Sequence, residues 1–97
     1  MSIVVLVEFQ AQPDKIEELK ATFKAILGDT RAFDGCMGCT AHQEQDTPAT
    51  LVLWETWASR PQYDKYLAWR TERGDLTKLG SMLAAPPSIR YLADVDV

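Results

Sequence analysis

Ile3-Val4-Val5-Leu6-Val7-Glu8-Phe9 is the stretch of sequence that decides the fold of this chain. Its β-branched and apolar residues predict a β-strand. Because successive side chains of a strand point to opposite faces, the odd-numbered residues form one apolar face, and Val4 and Leu6 form a second. A strand that is apolar on both faces must be covered on both sides. We therefore expect helices against one face and another surface against the other.

The segment after Pro13-Asp14 predicts an amphipathic helix. Its apolar residues recur at i, i+3, i+7, i+10 and i+11, which places them on one side of a helix. They are Ile16, Leu19, Phe23, Ile26 and Leu27. Gly28 is expected to end this helix, since glycine commonly follows the last helical residue.

The rest of the chain predicts three more strands and two short helices. Asp34-Gly35 predicts a turn into a strand over 37–44, and the turn at 46–48 leads into a third strand over 51–57, so these two strands form a hairpin. Ser59-Arg60-Pro61 predicts a helix start, and a further helical stretch follows Gly74. The alternation over 89–95 predicts the last strand.

The order β-α-β-β-α-α-β predicts a single ferredoxin-like α+β domain over residues 1–97, a split βαβ unit with a four-stranded antiparallel sheet. With helices on one sheet face, the other face keeps Val4 and Leu6, together with third-strand residues such as Val52 and Trp54. Exposed apolar patches mark interaction surfaces. We therefore expect two sheets to pair into a dimeric α+β barrel, which makes the protein a homodimer.

Composition and charge exclude several classes of partner. Apolar residues make up 46% and charged residues 25% of the 97 residues, which is typical of a globular domain. The net charge is −4 and the cations are scattered, so no nucleic-acid partner is expected. The longest apolar run, 3–7, is too short to span a membrane and lacks the features of a secretion signal. We expect a cytoplasmic protein with no membrane partner.

Four segments carry a family resemblance: VEFQAQPDK at 7–15, TRAFDGCMG at 30–38, LWETWAS at 53–59 and PPSIRY at 86–91. In this order and spacing they resemble the antibiotic-biosynthesis-monooxygenase family of dimeric α+β barrels. The resemblance implies oxidation of a quinol, a polyketide-derived phenol or a similar aromatic by O2, with neither metal nor flavin held. Alternatives on the same fold are an isomerase-like enzyme and a small-molecule-binding protein without turnover.

Glu55 and Trp57 are candidate catalytic residues because residues two apart on a strand share one face. A carboxyl group beside a tryptophan in a cavity would have a raised pKa and could act as a base. The alternative is that Trp57 only packs in the core while Glu55 pairs with a cation such as Arg31 or Arg90.

Three aromatic residues on the second helix supply further candidates. Tyr66 could donate to an anionic substrate oxygen or relay a proton, whereas Tyr63 and Trp69 would contact the substrate, as would Phe23 and Val7. The alternative is that these rings simply pack on the sheet. Tyr66 stands where many family members carry a histidine. The haem-degrading branch of the family needs His, Asn and Trp at positions that here hold Tyr66, Val7 and Trp57, so the resemblance disfavours haem degradation.

His42, the single histidine, is a fourth catalytic candidate if its side of the strand meets the cavity, and an exposed strand residue otherwise. Cys36 and Cys39 form a C-x-x-C motif. On a regular strand, side chains at i and i+3 point to opposite faces about 10 Å apart, whereas a disulfide needs Cα atoms within about 7 Å. We therefore expect neither a redox pair nor a metal site.

Overall fold

The computed structural model describes residues 2–97 and shows a ferredoxin-like α+β fold. The elements in chain order are β1 (Ile3–Gln10), α1 (Ile16–Ala32), β2 (Cys36–Gln43), β3 (Thr50–Trp57), α2 (Arg60–Glu72), α3 (Asp75–Gly80) and β4 (Ser88–Ala93). The strands form one antiparallel sheet in the order β2-β3-β1-β4. The predicted fold class and the predicted hairpin are therefore confirmed, while the pairing of two sheets into a barrel stays a prediction.

The two faces of β1 have different surroundings, as its sequence predicts. Val5, Val7 and Phe9 are at most 5% exposed and pack in the core with α1. On the opposite face, Leu6 lies across from Trp54, which is 48% exposed. We call the side of the sheet away from the helices the outer face; its apolar residues are Val4, Leu6, Val52, Trp54 and Leu92.

Helix α1 continues past Gly28 to Ala32, so the predicted stop at Gly28 is wrong. A glycine inside a helix costs about 1 kcal/mol relative to alanine. Leu27, directly before it, and Thr30, two residues after it, are both buried, and this packing offsets the cost. The helix ends where Phe33 adopts an extended backbone. Gly35, with φ of +94°, then turns the chain into β2.

A bulge in β2 changes the placement of the two cysteines. Cys36 lies opposite Trp57 but Gly38 lies opposite Thr56, so Met37 is an extra residue in the strand. Cys39 lies opposite Glu55, so both cysteines face the helices and the prediction of opposite faces is wrong. Both thiols are free, and burial raises the pKa of Cys39 to about 12. Such a thiol carries little reactive thiolate.

Helices α2 and α3 cover the part of the sheet near Glu55, and local sequence signals determine where they begin. Ser59 caps α2, since its Oγ accepts a hydrogen bond from the backbone N–H of Gln62 at 3.4 Å, and Pro61 follows in the first turn. Gly74, with φ of +79°, separates α2 from α3. None of the helices between residues 2 and 97 is long and apolar enough to cross a membrane.

Candidate functional site

Glu55 is a buried carboxyl group with one described hydrogen bond. It is 2% exposed, and Trp57 Nε1 donates to its Oε1 at 2.9 Å. Burial raises the pKa of Glu55 by more than the Trp57 N–H and the charge of Arg70 lower it. At neutral pH this group is therefore a stronger base than an exposed glutamate.

The structure does not show the cation partners considered for Glu55. Arg31 instead donates through Nε to the backbone oxygen of Cys39 at 3.0 Å. Arg90 lies opposite Leu6 on the outer face. Across residues 2–97, Glu55 makes no ion pair within 4.0 Å. The carboxyl group is thus stabilised mainly by the indole of Trp57.

Tyr66 belongs to a hydrogen-bonded cluster with Thr30 and Arg70. The Tyr66 hydroxyl lies 2.8 Å from Thr30 Oγ1, and Arg70 Nε donates to the phenol oxygen at 3.0 Å. Burial raises the pKa of Tyr66, although the bonds from Thr30 and Arg70 oppose this. The phenol is therefore protonated at neutral pH and held in a fixed position.

Arg70, which sequence reasoning did not single out, organises this cluster. It is 1% exposed, and its guanidinium also donates to Ile26 O at 2.9 Å, Thr30 Oγ1 at 3.0 Å and Asp75 Oδ2 at 2.8 Å. A signal was available, because Arg70 follows Tyr63 by seven residues and Tyr66 by four and so shares their side of α2. Its contacts with α1 and α3 tie three helices to one another.

A small cavity of about 40 Å³ lies between the sheet and the helices. Its lining is largely apolar, with Glu55, Tyr66 and Arg70 as polar groups. The other residues around it are Val7, Phe9, Phe23, Ile26, Leu27, Leu53, Tyr63, Leu76 and Leu79. This volume holds about one molecule the size of water. The Tyr66 oxygen is already engaged by Thr30 and Arg70 and is therefore not available as an iron ligand, so the site does not suit haem.

Most of the candidate residues come together around this cavity. Trp57 lies behind Glu55, with its ring 5.0 Å from that of Tyr66 and 5.4 Å from that of Tyr63, measured between centroids. Val7 and Phe23 line the cavity from β1 and α1. The cavity therefore combines a carboxyl group from β3, two phenols from α2 and the phenyl rings of Phe9 on β1 and Phe23 on α1.

Two of the candidate residues lie elsewhere. His42 is exposed on the outer face opposite Val52, where its Nε2 lies 2.8 Å from Thr40 Oγ1, so it faces away from Glu55. Trp69 stacks on Phe33 and lines a separate surface depression with Arg73. Trp69 is half-buried against the core but is not among the residues that line the cavity, so this placement does not support the expectation that it contacts substrate there.

Two further observations concern the polar side chains of the described residues. Between residues 2 and 97, no three histidine, cysteine or acidic side chains are grouped so that they could hold a metal ion. Every buried side-chain nitrogen or oxygen atom in the same range has a hydrogen-bond partner. The cavity at Glu55 is therefore where we place the chemistry.

The fold and the cavity define a small ferredoxin-like α+β protein with a small, mainly apolar site between sheet and helices. More specifically, the chain belongs to the antibiotic biosynthesis monooxygenase family, whose family model matches residues 2–71. This agrees with the resemblance carried by the four sequence segments.

Individual relatives are similar along nearly their whole length. "Putative monooxygenase Rv0793" of Mycobacterium tuberculosis is 29% identical over 94 residues, which is 97% of this chain and 92% of that protein. The solved structure of Rv0793 superposes with a TM-score of 0.80 and covers 100% of this chain and 98% of its own. A conserved protein from Methanosarcina mazei Go1 shares the fold with a TM-score of 0.89 at 21% identity, covering 98% of this chain and 94% of its own.

Proposed function

We propose that the protein is a cofactor-independent monooxygenase that oxidises a quinol or polyphenol with O2 in the cavity at Glu55. The observation that carries this proposal is the buried Glu55 carboxyl group, whose pKa is raised and whose only described hydrogen bond comes from Trp57. A base with a raised pKa is what removal of a phenolic or benzylic proton at neutral pH requires. Membership of a monooxygenase family supports the choice of O2 as the oxidant.

In the proposed reaction of a polyphenol with a benzylic CH2 carbon, such as an anthrone, Glu55 takes a proton from that carbon and leaves an electron-rich anion. The anion passes one electron to O2, and the resulting radical and superoxide combine into a carbon–oxygen bond. The peroxide takes up a proton, the O–O bond breaks, and the second hydrogen of the carbon leaves with the distal oxygen as water. In balance, a CH2 carbon and O2 give a carbonyl group and H2O.

Tyr66 is proposed to steady the substrate anion. Arg70 donates to the oxygens of both Tyr66 and Thr30, so the hydrogen of Tyr66 is free to point to Thr30 or to a substrate oxygen. Donors fixed before the reaction stabilise developing charge at little reorganisation cost. Arg70 acts through Tyr66, as a positioning residue.

The volume of the cavity imposes a condition on this proposal. A cavity of about 40 Å³ admits O2 or water but not an aromatic substrate, so the walls must move apart when substrate binds. Leu76 and Leu79 line the cavity from α3, a helix of six residues. We therefore assign α3 as the wall that moves.

Oxygen uptake tests the proposal directly. A panel of hydroquinones and anthrones is given to the wild type and to Glu55→Gln, Trp57→Phe and Tyr66→Phe, with Glu72→Gln on the exposed side of α2 as the matched control. We expect about 10²-fold or greater loss in Glu55→Gln and smaller losses in the two aromatic variants. Uptake by the wild type no faster than the uncatalysed rate, or full activity in Glu55→Gln, contradicts the proposal.

A proton-transfer isomerase is the second candidate function, because Glu55 and Tyr66 place a base and an acid around one cavity. Such an enzyme would exchange or move a substrate proton without O2. Deuterium incorporation from D2O under anaerobic conditions, with no uptake under air, would favour this reading over the oxidation.

We also propose that the active form is a homodimer joined through the outer face. Trp54 and Leu92 on that face are 48% and 39% exposed, next to the half-buried Val4, Leu6 and Val52. Exposed apolar groups on adjacent strands form a patch that association would bury.

A further inference from the structure

A groove of about 380 Å³ runs between α1 and the edge strand β2, on the helix side of the sheet. Phe23, Leu27 and Leu51 form its apolar floor. Ala41 lies on the same side, opposite Leu53, and its small side chain leaves the groove open. Volumes of 300 to 1,000 Å³ are typical of small-molecule sites. The groove is therefore large enough for a ligand, unlike the smaller cavity at Glu55.

The rim of this groove is cationic on a chain whose net charge is −4. Lys20, Lys24 and Arg31 line it from α1, His42 and Gln43 border it from the edge strand β2, and no aspartate or glutamate is among its lining residues. Lys20 forms an ion pair with Glu17 at 3.1 Å, which leaves Lys24 and Arg31 as the cations best placed for a ligand. Arg31 is held beside β2 by the hydrogen bond from its Nε to the backbone oxygen of Cys39. A positive rim beside an apolar floor complements an anion with an apolar body.

We propose that this groove is a binding site for small aromatic anions. The aromatic ring would lie on Phe23 and Leu27, and the acidic group would lie near Lys24 and Arg31. Phe23 and Leu27 also line the cavity at Glu55, so a ligand in the groove would rest against the wall of that cavity. The proposal does not depend on the oxidation, because binding is measured without turnover.

Fluorescence titration with 1-anilinonaphthalene-8-sulfonate tests the site, and the uncharged N-phenyl-1-naphthylamine serves as the probe without the acidic group. Lys24→Gln and Arg31→Gln remove one cation each, and Lys65→Gln on α2 is the matched control. Ala41→Phe fills the groove without a change of charge, at an exposed strand position that tolerates an aromatic residue. Amide chemical shifts locate the bound probe.

We expect saturable binding of the sulfonate, weakened two- to fivefold by each cation removed, since exposed charge pairs contribute that much. Ala41→Phe should weaken it at least tenfold, and Lys65→Gln should leave it unchanged. The largest shifts should fall on residues 23–27 and 41–43. Any one of three results would overturn the proposal. The first is an affinity for the sulfonate in Lys24→Gln, Arg31→Gln and Ala41→Phe equal to that of the wild type. The second is binding of the uncharged probe as tight as that of the sulfonate, and the third is chemical-shift changes confined to the outer face.

Discussion

At the scale of single residues, Glu55 is a charged group placed where charge is costly. Its carboxyl group is 2% exposed, and the Trp57 N–H is a neutral donor. A neutral hydrogen bond compensates the loss of hydration only in part. The protein therefore keeps at this position a group that lowers its stability, which is typical of a functional site.

Replacing Glu55 by Gln is predicted to stabilise the protein at neutral pH. The raised pKa means that the folded state holds its proton more tightly than the unfolded chain. The resulting loss of stability develops as pH rises from the ordinary glutamate pKa through the folded-state pKa, and is absent at lower pH. We expect a gain of about 4–8 °C in Tm at pH 8, corresponding to about 1 kcal/mol, which vanishes near pH 4.

Thermal unfolding of the wild type and of Glu55→Gln between pH 4 and pH 8 measures this difference. Glu72→Gln is the control, because its side chain is exposed. If Glu55→Gln is no more stable than the wild type at pH 8, then other interactions in the protein compensate the cost of burying the carboxylate.

At the scale of elements, Arg70 and Asp75 join the end of α2 to the start of α3. Asp75 accepts from Arg70 Nη1 at 2.8 Å and from Arg73 Nε at 3.1 Å. Gly74 between the helices has a left-handed backbone that glycine adopts without strain. The same guanidinium that holds α3 also donates to Tyr66, so the position of α3 and the phenol are connected.

Asp75→Asn is predicted to loosen this junction in a pH-dependent way. Partial burial raises the pKa of Asp75, but the hydrogen bonds from Arg70 and Arg73 outweigh it and hold that pKa below its usual value. Stability from this group is present above the ordinary aspartate pKa and is lost as pH falls through the folded-state pKa. We expect Asp75→Asn to lower the free energy of unfolding by about 1–3 kcal/mol at pH 7.

Denaturant unfolding at pH 7 and pH 3 checks this, with Asp64→Asn on the exposed side of α2 as the control. The deficit of Asp75→Asn should shrink at pH 3. An equal deficit at both pH values would mean that the ion pair is not its cause.

Leu76→Ala is predicted to change the size of substrate that the cavity accepts. Leu76 lines the cavity from α3 and is 41% exposed, so its truncation removes part of the wall with little loss of core packing. In Leu76→Ala, the ratio of the KM for three-ring substrates to the KM for one-ring substrates should be lower than in the wild type. Oxygen uptake measures both KM values. An unchanged ratio of the two KM values would exclude α3 as the moving wall. Val95→Ala, at an exposed position outside the cavity and the outer face, is the control truncation.

At the scale of the whole molecule, the sheet has one face covered by helices and one that carries exposed apolar side chains. Leu6 lies between Trp54 on β3 and Arg90 on β4, near the middle of the outer face. In a chain of 97 residues, burying this face would add substantially to the apolar surface removed from water. The proposed dimer has this physical basis.

A charge at the centre of the outer face is predicted to separate the dimer. Leu6→Asp or Val52→Asp would place a carboxylate in an apolar interface, and a contact with Arg90 beside position 6 would offset only part of a desolvation cost of several kcal/mol. Size-exclusion chromatography with light scattering should show a dimer for the wild type and for the control Ala68→Asp, on the exposed side of α2, and monomers or unfolded chain for the two variants. A stable Leu6→Asp dimer would place the interface elsewhere.

The sequence alone determined the order of the strands and helices, the two apolar faces of β1, the cap at Ser59 and the shared side of Tyr63 and Tyr66. These features follow from local periodicity and capping, which act within one element. That Glu55 and Trp57 lie side by side was predictable for the same reason, because residues two apart on a strand share a face.

Only the tertiary structure decided which face His42 takes, that Met37 forms a bulge, that α1 runs past Gly28 and that Trp69 lies outside the cavity. Each of these depends on the pairing or packing of one element against another. Arg70 is the clearest example. Its charge can be buried only because Ile26, Thr30 and Asp75 supply acceptors from elsewhere in the chain, and no pattern within α2 specifies those partners.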